Sequence, residues 1–330
     1  MLTRRSFIAN TAAVAALSSV APVGTAGAAE KWKHAMVAAK GDAAFFYMAK
    51  EKGFWAKRGL DVEIVELKGS KDVVRALLSG EADSADANPS DVYPAVVKGA
   101  DIRFVGSAIE SYPYAMYVRP EIKSWADLKG KVFGVSSPGS APHMFALAMM
   151  EHNHIPTADM QIANSGGTTP RIKALVAGKL DATAASSEYV PLADKLHIKV
   201  LGLAKDEAPL FPRFFEIMKP STITERKEAA IQFLAGYMEG LRYCVDHRDE
   251  AIKLSAKIIQ GKADDPRLIY AFDEIVEGKM VSLNMDIRKD KLDWMQNMMI
   301  RLKRLPKPVD IASLIDTSLR DKALQIVGKR

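Results

Sequence analysis

The stretch Ala76-Leu77-Leu78-Ser79-Gly80-Glu81-Ala82-Asp83 recurs as Ala174-Leu175-Val176-Ala177-Gly178-Lys179-Leu180-Asp181. Each copy has the pattern of an amphipathic helix end, a glycine that stops the helix in the left-handed conformation, and a short strand. A polar loop follows each copy, at residues 88–90 and 186–188. The repeat predicts two similar α/β lobes with a ligand cleft beyond the carboxyl ends of their strands. The alternative is that a common helix-to-strand connection occurs twice by chance.

Strand and helix patterns alternate on both sides of the first copy, which predicts a largely parallel sheet covered by helices. We expect the chain to pass between the lobes twice, through residues 112–118 and 213–218. This divides it into lobe I (29–115 plus 216–330) and lobe II (116–215). The last third has helical periodicity from residue 224 to 315, and we expect it to pack on lobe I.

The N-terminus has the pattern of an export signal. Arg4 and Arg5 precede an apolar stretch over residues 8–23, and Ala26-Gly27-Ala28 supplies small residues for cleavage. Residues 1–28 are therefore predicted to be a signal peptide. The arginine pair resembles a twin-arginine signal, and an ordinary secretory signal is the alternative. We expect a periplasmic protein that is soluble after cleavage, since no later segment is apolar enough to span a bilayer.

Composition excludes some classes of function. The 46 basic and 40 acidic residues are interspersed, and no basic run with interleaved aromatics predicts nucleic-acid binding. The single cysteine, Cys244, leaves no intramolecular disulfide and lies on an apolar helical face, which predicts a core position. No metal is expected at His152-Asn153-His154, because no further histidine or cysteine lies at a recognisable ligand spacing.

The segment Val135-Ser136-Ser137-Pro138-Gly139-Ser140-Ala141 is the best local candidate for a binding site. A predicted strand ends in hydroxyl residues, Gly139 allows close backbone approach, and Ser140 precedes a helix whose N-terminus favours an anion. A plain capped turn is the alternative. The segment lacks the Lys-Ser/Thr ending of a phosphate-binding loop. A second loop of this type, residues 164–170, leads into the helix that carries the second copy of the repeat.

Four segments in order, residues 49–63, 76–83, 125–140 and 174–182, resemble the periplasmic solute-binding proteins of nitrate, sulfonate and taurine ABC transporters (the SsuA/THI5-like, or NMT1, family). The resemblance implies a type II periplasmic-binding-protein fold. In that fold each lobe is a Rossmann-like sheet flanked by helices, and a helical C-terminal extension belongs to lobe I. Ligand contacts are implied at Lys40, Asp42, Asn88, Ser111, Tyr112, Ser136, Ser137, Gly139, Ser140, Thr168 and Glu188.

The resemblance also implies a monomeric, non-catalytic receptor without a cofactor, which delivers its ligand to a membrane permease. The implied ligand is a small organic anion or zwitterion, such as a sulfonate, a taurine-like compound, nitrate or an aromatic carboxylate. Glu188 fits an amine or hydroxyl better than an anion, so either the ligand is a zwitterion or Glu188 points to solvent. The alternatives are a pyrimidine-precursor synthase, whose cysteine-rich segment this chain lacks, and a ligand-sensing partner of a membrane receptor.

Overall fold

The computed structural model describes residues 29–330, so the predicted signal peptide with Arg4 and Arg5 lies outside the described residues. Ten strands are found in this range: β1 Glu30–Val37, β2 Leu60–Leu67, β3 Ser84–Ala87, β4 Arg103–Gly106, β5 Tyr114–Val118, β6 Val132–Val135, β7 Gln161–Asn164, β8 Ala182–Ser186, β9 Lys199–Leu203 and β10 Phe215–Met218.

The same range holds fourteen α-helices: α1 Ala44–Glu51, α2 Phe54–Lys57, α3 Ser70–Ser79, α4 Pro89–Val97, α5 Ala141–His152, α6 Thr168–Val176, α7 Ala204–Glu207, α8 Pro220–Glu225, α9 Lys227–Asp246, α10 Arg248–Ile258, α11 Pro266–Glu277, α12 Lys289–Arg301, α13 Ile311–Leu314 and α14 Ser318–Val327. Short 3-10 helices span Trp125–Leu128, Thr157–Asp159 and Ser187–Leu192.

The strands form two five-stranded sheets with the same plan. The order is β2-β1-β3-β10-β4 in the first sheet and β7-β6-β8-β5-β9 in the second. β10 runs antiparallel to both of its neighbours, and so does β5. The sheets are therefore mixed and not simply parallel. In each sheet the antiparallel strand is the first strand after the chain crosses from the other sheet.

The repeated stretch occupies equivalent places in the two sheets. Helices α3 and α6 end just before Gly80 and Gly178, whose φ angles are 82° and 71°. The chain then enters β3 and β8, the central strands of the two sheets. The predicted helix, left-handed glycine and strand are all confirmed at both copies.

The chain passes from the first sheet to the second between β4 and β5, and returns between β9 and β10. Strand pairing places Tyr114 and Ala115 in the second sheet and Phe215 in the first. The predicted lobe boundaries at 115/116 and 215/216 thus fall inside β5 and β10. We place the two crossings in the loops that precede these strands.

The helical tail packs on the first sheet and its helices. Helix α9 lies against α1 so closely that a Cβ at Gly240 would lie 2.6 Å from the Ala49 nitrogen. Helix α12 packs on α4, and α14 packs on α9. Cys244 is buried in this core, as predicted. Helices α8 and α9 meet at Arg226, and α14 lies beyond residue 315, where the predicted helical region ends. None of the helices within residues 29–330 has the length and apolarity needed to cross a membrane.

Candidate ligand-binding site

A cleft of about 600 Å³ lies between the two sheets. Its walls come from loops that follow β1 and β2 in the first sheet and β6 and β7 in the second, together with residues of the two crossings. This is the strand edge at which open α/β sheets bind ligands. The lining residues include Lys40, Lys68, Lys71, Asp72, Asp91, Tyr112, Tyr114, Ser136, Ser137, Ser140, Thr168, Arg171 and Phe214.

Arg171, in the first turn of α6, places a buried positive charge beside the cleft. Its side chain is fully buried. One terminal nitrogen, Nη1, donates to Ser136 Oγ at 2.7 Å and to Gly166 O at 2.5 Å. The buried Nε has no hydrogen-bond partner, and Arg171 forms no ion pair with any carboxylate in residues 29–330. A buried charge without a counter-ion is costly, and an anionic ligand would offset that cost.

A second cation faces the same space from the first sheet. The Lys40 Nζ atom lies 5.5 Å from the centroid of the Tyr114 ring. Burial alone would raise the pKa of Tyr114, but the charges of Lys40 and Arg171 and hydrogen bonds with Thr168 and Tyr112 lower it to about 8. The shift reports a positive potential at the phenol oxygen, which is what an anion site requires.

The hydroxyl-rich loop after β6 is held by its own hydrogen bonds. Ser137 N–H donates to Ser140 Oγ at 3.3 Å, and Gly139 N–H donates to His143 Nδ1 at 2.8 Å. His143 can accept because burial and the charges of Arg304 and Lys71 lower its pKa to about 4. Ser140 is the N-cap residue of α5 and makes no side-chain cap bond to the helix. The helix N-terminus therefore adds its partial positive charge to the cleft.

Six of the predicted contact residues line the cleft, namely Lys40, Tyr112, Ser136, Ser137, Ser140 and Thr168. The other five lie elsewhere. Asp42 is ion-paired with Arg213, and the Ser111 hydroxyl accepts from Lys291 Nζ at 2.8 Å. Gly139 lies on a neighbouring groove beside α3 and α12.

Asn88 has a structural role in this conformation. Its side-chain nitrogen donates to Pro212 O at 2.8 Å and to Arg213 O at 2.6 Å, and its side-chain oxygen caps α4 by accepting from Ser90 N–H. Asn88 is thus the N-cap residue of α4. All of its polar atoms are engaged, and they tie β3 to the returning crossing.

Glu188 connects the two halves of the molecule. Its Oε2 accepts from Gly41 N–H at 3.0 Å, and the carboxylate is buried. Burial raises its pKa, and the charge of Asp42 adds to that shift while Lys40 opposes it. Nearby, Ser187 donates to Glu274, and Arg267 donates to Tyr189 at 3.3 Å. Each of these three pairs joins the two halves of the molecule. Glu188 faces neither solvent nor the cleft.

The profile of the NMT1/THI5-like family matches residues 40–251, which is more than half of the chain. The chain belongs to the NMT1/THI5-like family. A relative from Brucella abortus, provisionally named a binding protein, is 24% identical over 321 residues and covers 93% of this chain and 95% of its own length.

Solved structures show the same fold at low identity. The alkanesulfonate-binding protein SsuA from Xanthomonas axonopodis, bound to MOPS, superposes with a TM-score of 0.73 at 18% identity, covering 87% of this chain and 98% of that one. The nitrate-binding protein NrtA from Synechocystis gives 0.73 at 15% identity, covering 90% and 89%. The predicted two-lobe fold of periplasmic binding proteins is confirmed for this member of the NMT1/THI5-like family.

Arg171 and Tyr114 are among the residues of the family member's cleft that sequence reasoning missed. The sequence did contain a signal for Arg171. A cation in the first turn of a helix interacts unfavourably with the helix dipole, so its presence there indicates a role other than helix stability. Tyr114 lies in the predicted crossing at residues 112–118, and no local pattern distinguishes it from the other aromatic residues there.

Proposed function

We propose that this protein is the extracytoplasmic solute-binding component of an ABC importer and that it captures a small organic anion. The observation that carries the proposal is the buried, uncompensated guanidinium of Arg171. A sulfonate or carboxylate held there would accept from Arg171 and from the serine hydroxyls of the loop after β6, as charge-assisted hydrogen bonds require.

The size and lining of the cleft favour an organic anion over nitrate. A volume of about 600 Å³ falls within the range of drug-sized sites. Tyr112, Tyr114 and Phe214 offer aromatic surface beside the cations. An aryl or branched alkyl sulfonate or carboxylate fills this space, whereas a four-atom anion leaves most of it to water.

A simple anion also fits better than a zwitterion. The Glu188 carboxylate, which raised the expectation of an amine, already accepts from Gly41 and does not line the cleft. Asp72 and Asp91 do line it, but Asp72 is ion-paired with Arg75, and burial raises the pKa of Asp91 to about 6. The lining basic residues outnumber these two acids.

Capture is expected to work by lobe closure. Arg171 and the serine loop belong to the second sheet, and Lys40 belongs to the first. A ligand that contacts both stabilises the closed arrangement over the open one. We propose that the permease recognises the closed form. This takes place in the periplasm, the compartment that the predicted N-terminal signal indicates.

The residues give no support to the synthase alternative. Cys244 is buried within α9, and burial raises the pKa of its thiol, so it is not a reactive nucleophile. Whether the closed form delivers to a permease or signals to a receptor is tested by transport in a permease deletion strain.

Calorimetric titration of a panel of alkyl and aryl sulfonates, the matching carboxylates, taurine and nitrate tests the ligand class. We expect heat with an organic monoanion and little with taurine or nitrate. Arg171→Met should weaken binding by roughly 100-fold, since hydrogen bonds to charged groups contribute about 1.5–3 kcal/mol. It should not lower the melting temperature, because it removes an uncompensated buried charge.

The matched control is Arg248→Met on α10, whose side chain is 46% exposed and pairs with Asp273, and neither of these residues lines the cleft. This variant should bind as the wild type does. Unchanged affinity in Arg171→Met, or binding of taurine in preference to every simple anion, contradicts the proposal.

A further inference from the structure

Three ionisable residues meet inside the first sheet, apart from the cleft. His34 on β1, Asp86 on β3 and Glu216 on β10 lie on adjacent strands. Glu216 is directly opposite Asp86, and His34 is opposite Ser84, two residues before Asp86. Because side chains alternate along a strand, this register puts all three on the same face. One nitrogen or carboxylate oxygen from each lies within 4.8 Å of those of the other two.

The cluster holds polar atoms that the described protein does not satisfy. Glu216 Oε2 lies 3.7 Å from His34 Nδ1, and the side chains are 3% and 0% exposed. Within residues 29–330, Glu216 Oε2, Asp86 Oδ1 and His34 Nε2 have no hydrogen-bond partner. A buried polar atom left without a partner costs free energy. Three such atoms in one cluster therefore indicate that an ion or a polar ligand binds between them.

The space beside the cluster has room for an ion. A cavity of about 50 Å³ adjoins the cluster on the side of Asp86 and Glu216, and Lys40, Asp42 and Arg213 also line it. That is enough for an ion and a coordinated water. Asp42 pairs with Arg213. The nearby charges of Arg213 and Lys40 offset part of that of Asp86, but within residues 29–330 neither Asp86 nor Glu216 forms an ion pair with a lysine or arginine.

The His34 ring is held in place and is neutral, as a metal ligand must be. Its ring stacks on Phe46 at 4.5 Å and on Phe233 at 5.3 Å between centroids. Burial lowers its pKa to about 3, which keeps the imidazole neutral. Ser84 Oγ lies 2.9 Å from His34 Nδ1 and accepts from Trp32 Nε1 at 2.9 Å, so a further oxygen stands beside the cluster.

We propose that His34, Asp86 and Glu216 bind a divalent transition-metal ion, with Zn²⁺ as the best match to one imidazole nitrogen and two carboxylate oxygens. This donor set suits zinc better than calcium or magnesium, which prefer oxygen alone. The ion supplies the positive charge that the two carboxylates lack and cross-links β1, β3 and β10. The proposal stands on its own and does not rest on the anion-binding function.

Zinc retention tests the site directly. Tag-free protein is stripped with EDTA, mixed with one equivalent of ZnCl₂, desalted and analysed for zinc by mass spectrometry. We expect one zinc per chain and a higher melting temperature with zinc, since an ion that binds only the folded state stabilises it. Glu216→Gln should weaken zinc binding at least tenfold.

Two controls separate this site from surface binding. Glu63→Gln lies on β2 of the same sheet, where its side chain is 61% exposed, and His152→Gln removes a histidine that is 56% exposed. Both should keep their zinc. Loss of zinc from His152→Gln, or retention by Glu216→Gln equal to the wild type, overturns the proposal.

A measurement on the wild type guards against a variant that does not fold. Co²⁺ bound in the site should give the visible absorption of a low-coordinate nitrogen–oxygen site. An aqua-ion spectrum, or no retained zinc in folded wild-type protein, equally overturns the proposal.

Discussion

Arg171 combines two unfavourable placements, since it lies in the first turn of a helix and is fully buried. Both oppose a positive charge, yet its donors face hydroxyl and carbonyl oxygens and not a carboxylate. The local sequence predicted the serine loop because hydroxyl and glycine residues at a strand end are a local pattern. It did not predict Arg171 as a contact, because its burial depends on packing between segments that are distant in sequence.

Tyr114 gives the cleft a testable pH dependence. Its pKa of about 8 lies below the usual value of a tyrosine, so the phenolate forms in the folded protein between about pH 8 and 10. An anionic ligand competes with that phenolate for Lys40 and Arg171. Affinity for a monoanion should therefore fall above pH 8, by up to about tenfold per pH unit. The same shift stabilises the ligand-free fold above pH 10, and this contribution is lost as the pH falls through 8.

Calorimetry between pH 6.5 and 9.5, with the Tyr114→Phe variant alongside, measures this dependence. The variant should bind with nearly constant affinity across the range. A wild-type affinity that stays flat above pH 8, or a decline that persists in Tyr114→Phe, rules out Tyr114 as the titrating group.

Elements built on local patterns were predicted from the sequence. The helix end and the left-handed glycine are found at both copies of the repeat, because apolar periodicity and the glycine that follows identify them. The antiparallel direction of β5 and β10 was not expected, since it depends on how two distant segments pair. In the site, the same limit applies: Asn88 and Glu188 were assigned to the ligand, but their partners come from the other half of the chain.

The loop after β1 is predicted to control lobe closure through Gly41. A Cβ at this position would lie 2.7 Å from Glu188 Oε2 and 3.2 Å from Leu268 Cδ2. Gly41→Ala should break the Gly41–Glu188 hydrogen bond and weaken ligand binding about tenfold, as loss of a bond to a charged group does. Gly261→Ala, which lies outside the cleft and where a Cβ would have its nearest neighbour at 3.4 Å, is the control for calorimetry.

Combining Gly41→Ala with Glu188→Ala extends this test. If the two residues act through one contact, the double variant should bind about as weakly as either single variant. Fully additive losses would show that the residues act separately.

The crossing of α1 and α9 depends on small residues. Gly240→Ala places a Cβ 2.6 Å from the Ala49 nitrogen, and this backbone atom cannot move aside without shifting α1. Although alanine favours helices, the variant should lose about 1–3 kcal/mol of unfolding free energy by overpacking. Urea denaturation measures the change, with Gly261→Ala as control because its nearest neighbour would be 3.4 Å away. Equal stability of the two variants would refute the tight crossing.

Across the whole molecule, the two sheets and the cleft between them predict a change of shape on binding. The radius of gyration from small-angle X-ray scattering should decrease when a saturating ligand is added. Arg171→Met at the same ligand concentration should show no decrease. A wild-type profile that is identical with and without a ligand known to bind would contradict closure.

The position of β10 has a consequence for the order in which the chain acquires its structure. The second sheet is made from one continuous stretch, β5 to β9, whereas the first sheet needs β10 between β3 and β4. During synthesis from the N-terminus, residues 30–106 therefore emerge with a gap in their sheet that only residues 215–218 fill. The later-made sheet is complete first, and until then the earlier one presents two unpaired strand edges to chaperones and proteases.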